Sequence, residues 1–230
     1  MLNQSFMCGR FALYNIEFFS DIFGVYNPLP QINLSYNISP GKEICALLCG
    51  DENYAVVAEW GILRRAKSGS GTFFDFSMIN TRDDTLKDGE YFQKNPDVKR
   101  CLIPANGFYE WKKEGTRKVP FYIRIKDNPL FAFAGIYQTF LSPSGNLSYS
   151  CSIITTNANT ALSGIHDRMP VIPDKSCALD WINPEYSDPL SLLKPYSSDK
   201  TVSYAVRDSV GSVENDGPDL IKQIYDGKWW

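Results

Sequence analysis

Apolar residues run through this chain in short bursts of strand length, broken by Gly, Pro, Asn and Asp. Residues 44–49 (ICALLC), 54–60 (YAVVAEW), 121–125 (FYIRI), 130–137 (LFAFAGIY), 148–156 (SYSCSIITT) and 201–206 (TVSYAV) read as strands. Helical patterns are shorter. Residues 15–24 pair an Asn15 cap with a Gly24 stop, and 82–95 (RDDTLKDGEYFQKN) read as a second helix. Residues 174–182, 188–194 and 218–224 supply others. The stretch from Ala66 (AKSGSG) has the composition of a surface loop. Many strands with helices scattered between them predict an α+β fold. The expectation is a single domain over 1–230, built on a largely antiparallel, curved or barrel-like sheet with peripheral helices.

Composition narrows the classes. A chain of 230 residues with 43% hydrophobic content can bury one large core, and its aromatic content argues against disorder. No apolar run is long enough to span a bilayer as a helix, so no membrane partner is expected. The net charge of -3 leaves no global nucleic-acid footprint, so any such site must be a local basic cleft. The N-terminus has neither the basic segment nor the apolar core of a secretory signal. Six cysteines without a CxxC pair do not form a disulfide framework, and with one histidine a zinc site is not expected. The expectation is a cytoplasmic monomer with no metal and no cofactor.

Four segments hold groups capable of chemistry: CGR at Cys8, INTR around Asn80, GFYEWK around Glu110 and GIHDRMP around His166. Each has a cation two positions later, at Arg10, Arg82, Lys112 and Arg168. In an extended backbone that spacing puts the cation on the same face as the reactive group, which suits a phosphate-bearing substrate. Each residue also has a plain structural reading. Cys8 could be a small buried hydrophobe, Asn80 a helix cap, Glu110 part of a solvated strand face, and His166 a structural histidine. Strand alternation groups Glu110 with Phe108 and turns Tyr109 and Trp111 the other way. A carboxyl beside apolar surface has a raised pKa and becomes a better general acid.

Taken together, MCGRF at Met7, YNISPG at Tyr36, EWGIL at Glu59, INTRDDT, RCLIPANGFYEWKK, TTNAN, IHDRMPVI and VENDGPDLI resemble the SRAP family, the YedK-like SOS-response-associated peptidases. The motifs occur in order through nearly the whole chain. The resemblance implies covalent capture of abasic sites in single-stranded DNA, as part of the response to DNA damage. After removal of residues through Met7, the Cys8 amine would form a Schiff base with the sugar aldehyde and its thiol would close a thiazolidine ring. It further implies that Asn80 positions the cysteine, Glu110 shuttles protons and His166 assists sugar ring opening. Arg10, Arg82 and Arg168 would hold flanking phosphates, and Trp111 would give an apolar or stacking surface.

Three departures from the family pattern stand out. A Pro-x-Trp element that often follows "WG" is replaced by ILRRAKSGS, where Arg64, Arg65 and Lys67 offer charge instead of a ring. Asp84 stands where a glutamate is usual. Six residues precede Met7, so Met1–Met7 is a misassigned start, a segment removed by the protein's own peptidase activity, or a retained extension. Two other classes stay open: a cysteine-dependent peptidase or amidohydrolase, and a non-catalytic single-stranded DNA-binding module.

Overall fold

The computed structural model describes residues 8–25, 28–69, 71–87 and 90–224; the expected extension at 1–7 lies outside them. In chain order the first half contains β1 (Phe11–Leu13), α1 (Phe19–Phe23), β2 (Ser35–Ile38), β3 (Glu43–Leu48), β4 (Tyr54–Trp60), β5 (Ile62–Lys67), β6 (Phe73–Met78) and β7 (Asn80–Arg82). Next come α2 (Asp83–Lys87), α3 (Tyr91–Lys94), β8 (Lys99–Ala105), β9 (Gly107–Glu114) and β10 (Arg117–Ile125). Last are β11 (Phe131–Leu141), β12 (Leu147–Asn157), β13 (Arg168–Pro170), α4 (Ala178–Ile182) and β14 (Thr201–Ala205). Short strands dominate and helices are few, as an α+β fold on antiparallel sheets requires.

Five strands close into a ring in the order β11–β8–β3–β4–β12, with β12 pairing back onto β11. Every pairing in the ring is antiparallel except β12 with β4, where Cys151 lies opposite Trp60. Closure gives every strand of the ring a neighbour on both sides, although β3 meets β8 and β4 meets β12 over only one or two residue pairs. Apolar residues at alternate positions fill the interior, among them Leu48, Trp60, Ile103, Phe133 and Ile153, all fully buried. Near its C-terminal end β12 exchanges both neighbours. β7 joins in parallel with Asn80 opposite Ile153, and β13 joins in antiparallel register with Arg168 opposite Asn157. Two of the predicted site segments are thereby placed on the flanks of one strand.

A second sheet, ordered β14-β10-β9-β1-β2, lies against the ring. Phe11 meets Trp60 and Phe133 edge-on, with ring centres 5.1 and 5.7 Å apart, and Phe108 meets Phe133 at 5.9 Å. The opposite face of the sheet is covered by a smaller cluster of Tyr109, Tyr122, Val206, Val210 and Leu220. Alternation along β9 therefore separates Phe108 and Glu110 from Tyr109 and Trp111, as the sequence pattern predicts.

The helices depart most from expectation. In 15–24 only Phe19–Phe23 is helical: the Asn15 side chain accepts from the Glu17 N–H instead of capping, and Phe18 adopts a left-handed φ of 62°. Gly24 does stop the helix, with φ 63° and its N–H on the Ser20 carbonyl at 2.8 Å. The second predicted helix divides into α2 and α3. Residues 188–194 and 218–224 tighten into 3-10 turns at Pro189–Leu192 and Pro218–Ile221, each opened by a proline. The Ala66 stretch is the tip of the β5–β6 hairpin, with Ala66 and Lys67 still inside β5. Among the described residues no helix is long and apolar enough to cross a membrane.

Candidate active site

The site begins with the way β1 is laid against β9. Phe11 pairs with Phe108, and the Tyr109 N–H donates to the Arg10 carbonyl at 2.9 Å. On the other side of β9, Gly107 permits the close approach of β10, because a Cβ there would fall 2.2 Å from the Tyr122 hydroxyl and 2.7 Å from the Ile123 carbonyl oxygen. Asn106 anchors the preceding turn: its side chain accepts from the N–H groups of Tyr14 and Asn15 and donates to the carbonyls of Asn15 and Pro129. Just before β1, Cys8 takes a left-handed backbone conformation with φ 43°. For a residue with a side chain this conformation costs about 1–2 kcal/mol. It directs the Cys8 backbone nitrogen at Glu110, whose Oε1 accepts its hydrogen at 2.6 Å.

Both partners are buried, Cys8 completely and Glu110 to 4% exposure. Burial pushes the Glu110 carboxyl up to about 8, against the lowering effect of the Cys8 and Trp111 backbone N–H groups, and the charge of Asp167 adds to the rise. Glu110 is therefore largely protonated at neutral pH, and one oxygen accepts from Cys8 while the carboxyl still has a proton to give. Burial also holds the Cys8 thiol well above the ordinary cysteine range, and Glu110 pushes in the same direction. That environment disfavours a resting thiolate.

His166 precedes β13 and is partly buried. Its Nδ1 lies 3.1 Å from the Arg168 backbone N–H and 2.9 Å from Asp167 Oδ1. Neutral and unprotonated at Nδ1, the ring accepts from Arg168; protonated, it donates to Asp167. The imidazole thus has a partner in either state, which suits a proton carrier. Asp167 also acts electrostatically on both Glu110 and Arg82, linking the three segments around the site. Asp167 lies inside the motif that carries His166 and Arg168, and its charge beside the chain's single histidine is the sequence signal that marks it.

The cations take different positions. Arg82 is exposed on β7 and pairs with Asp84, which an incoming phosphate can displace because surface ion pairs are weak. Arg168 is 4% exposed and donates to Asp83 Oδ1 at 3.0 Å and to the Thr155 carbonyl. Asp83 also accepts from Thr156 and Lys87, tying α2 to β12. Arg10 is likewise enclosed. It donates to Asn37 Oδ1 and the Val210 carbonyl, both at 2.7 Å, and its guanidinium lies 5.9 Å from the Trp111 ring centre. Arg10 and Arg168 therefore serve internal networks, unlike the open cations pictured from the sequence. Trp111 sits with Arg10 on the face of β9 away from Glu110, apart from the Cys8–Glu110 pair. Asn80 is a strand residue of β7, so the helix-cap reading is replaced by a place beside β12 two positions before Arg82. Lys112 pairs with Glu114. Among the described residues no group of three or more His, Cys, Asp or Glu side chains is arranged to hold a metal ion.

Residues 7–213 match the family described as SOS response associated peptidase (SRAP). The chain is 39% identical to the abasic site processing protein YoqW of Bacillus subtilis, across 94% of this chain and 99% of that one. It is 37% identical to the abasic site processing protein YobE of the same organism, across 90% and 98%. Among solved structures, a protein from Bacteroides thetaiotaomicron superimposes with a TM-score of 0.77 at 26% identity, covering 95% of this chain and all of that one.

Proposed function

Because the chain belongs to the SOS response associated peptidase family, we propose that it processes abasic sites in single-stranded DNA by joining them covalently to Cys8. The observation that carries this reading is the 2.6 Å contact between the Cys8 nitrogen and the buried, proton-bearing Glu110. Amine–aldehyde condensation needs a proton carrier at that nitrogen. Once residues through Met7 are gone, the Cys8 nitrogen is a free α-amine with an ordinary pKa of about 7.7–8.0. Burial penalises an ammonium–carboxylate pair there and favours the neutral amine beside the neutral carboxyl.

The amine adds to the aldehyde carbon of the ring-opened sugar, giving a carbinolamine. Glu110 protonates its hydroxyl, which leaves as water, and an imine forms. The Cys8 thiol then adds across the C=N bond, sulfur to carbon and hydrogen to nitrogen, closing a thiazolidine. The raised thiol pKa is tolerable because this attack is intramolecular. His166 moves the proton that opens the closed sugar, Asn80 positions the cysteine, and Arg82 meets a flanking phosphate. Arg10 and Arg168 hold the walls that support these groups, and Trp111 backs the Arg10 wall.

We further infer that the same carboxyl serves maturation. The nitrogen it touches is the leaving group when water cleaves the Met7–Cys8 bond, so Glu110 is placed to protonate the departing amine. A general cysteine peptidase gains no support, since the Cys8 thiol is held up by burial and by Glu110. The experiment is single-turnover capture of an abasic oligonucleotide. Cys8→Ala should lose the heat-stable adduct and keep noncovalent affinity. His166→Ala should be slow on the natural site but near normal on an aldehyde that cannot cyclise, whereas Glu110→Gln should be slow on both. A Cys8→Ala protein that still gives the same heat-stable adduct refutes the chemistry.

A further inference from the structure

At the end of the ring where β8 begins lies a cavity of about 710 Å³ that shares no residue with the Cys8–Glu110 site. Its walls come from segments that meet only in the fold: Phe92 on α3, Val98 just before β8, Tyr137 on β11, and Ile182 and Leu190 from α4 and the turn after it. The volume is that of a small-molecule pocket, and most of the lining is apolar. β8 keeps the two places apart. The cavity lies at Lys99, its first residue, and the turn leading to Glu110 follows Ala105, its last, about 20 Å of strand away.

Two cations stand among these apolar walls. Lys99 and Arg100 both line the cavity, and among the described residues neither forms an ion pair. Arg100 is half-buried, with its guanidinium 5.7 Å from the Trp181 ring centre. Its Nη2 donates to the Asn183 carbonyl at 2.9 Å, and its Nη1 is buried with no hydrogen-bond partner among the described residues. Burial lowers the Arg100 pKa, and the one opposing influence is the Cys49 thiol rather than a carboxylate. Asp188, the one carboxylate on the lining, pairs with neither cation. A half-buried charge without a counter-ion is a cost that an anion relieves. The Tyr137 phenol, pushed up to about 12 by burial, supplies a further donor on the same lining.

We propose that this cavity binds a small aromatic carboxylate, its ring against Phe92, Val98 and Leu190 and its charge between Lys99 and Arg100. Arginine meets carboxylates through paired N–H donors, and the Trp181 ring beneath the guanidinium holds its plane for that contact. The charge balance selects the class. Two cations against one carboxylate leave one positive charge to be met, and a neutral apolar molecule would leave Arg100 without a counter-ion. A nucleic-acid strand carries many charges, and the lining offers no third cation to follow it.

The test has two arms and uses no DNA, so its outcome is independent of the proposed function. In the first, the full chain is titrated calorimetrically with 2-naphthoate and with its neutral counterpart, 2-naphthamide. The acid should bind about tenfold more tightly than the amide, and Lys99→Gln and Arg100→Gln should each weaken it by about tenfold. Arg100→Lys, which keeps the charge, should lose less than Arg100→Gln. Lys99 is exposed, so Lys99→Gln keeps the fold even where Arg100→Gln lowers Tm. The second arm reads the place of binding at Cys49, which lines the cavity and is partly exposed. Saturating 2-naphthoate should slow alkylation of Cys49 by iodoacetamide, followed by peptide mass, and leave Cys177, which is partly exposed outside the cavity, unaffected. Equal affinity for acid and amide, undiminished affinity in either folded Gln variant, or an unprotected Cys49 overturns the proposal. So does a dimer of the intact protein, seen by light scattering, that Lys99→Gln dissociates, because a second copy would then fill the cavity.

Discussion

A carboxyl buried beside the Cys8 nitrogen leaves a signature in pH. Glu110 has its pKa raised from the usual 4.5 to about 8, so between those values the folded chain holds a proton that the unfolded chain has lost. The stabilisation is complete below about pH 4.5 and is lost as pH rises through 8, at about 1.4 kcal/mol per pH unit inside that window. Thermal unfolding of the chain that retains Met7 should therefore show a Tm falling toward pH 8 relative to Glu110→Gln, in which the slope is absent. Parallel Tm curves for the two proteins would mean that Glu110 is charged at neutral pH. Asp167 offers a second handle. Its charge raises the Glu110 pKa, so Asp167→Asn should move the alkaline limb of the capture rate to lower pH. It should also remove the acceptor for protonated His166. An unmoved limb in the pH–rate profile would separate Asp167 from the proton path.

At the scale of elements, the arginines of β7 and β13 have different tasks. Arg168 joins β13 to the start of α2 through Asp83, and removing one partner of a buried pair costs about 3–5 kcal/mol. Arg168→Gln should therefore lower Tm strongly, whatever its effect on DNA. Arg82→Gln should leave Tm nearly unchanged, and the slope of log affinity against log salt on undamaged single strands should fall in magnitude by about 0.7. Equal Tm values for Arg168→Gln and the intact protein would contradict the internal role, and an unaltered slope for Arg82→Gln would remove the phosphate contact. The i, i+2 pattern of cations was legible in the chain, but which guanidinium faces out was not. That depends on Asp83, Thr155 and Asn37, each distant in sequence from the arginine it engages. The longer strands, β3, β4, β11 and β12, were readable from their apolar runs. The strands β1, β7 and β13, three residues each, were not, because so short a stretch has no period and exists only through its neighbours. The shortening of the first helix has a local cause: Phe18 adopts a left-handed φ and cuts off the pattern that looked helical before it.

For the whole molecule, the barrel serves as a frame that brings widely separated segments to one place. Cys8 and Glu110 are 102 positions apart, yet they meet because β1 pairs with β9, Phe11 opposite Phe108, and those two rings seat that sheet on the ring of strands. The order of motifs along the chain disclosed the family, and through it the members of the site. The 2.6 Å contact and the burial that raises Glu110 required the fold. The most direct measurement is the intact mass of protein expressed from its own gene, before and after incubation with an abasic single-stranded oligonucleotide. The account predicts a chain beginning at Cys8 and a heat-stable product, formed without reductant, whose mass is that of protein plus DNA less one water. A chain that keeps Met7 and still forms that product would contradict it, as would a chain beginning at Cys8 that forms none.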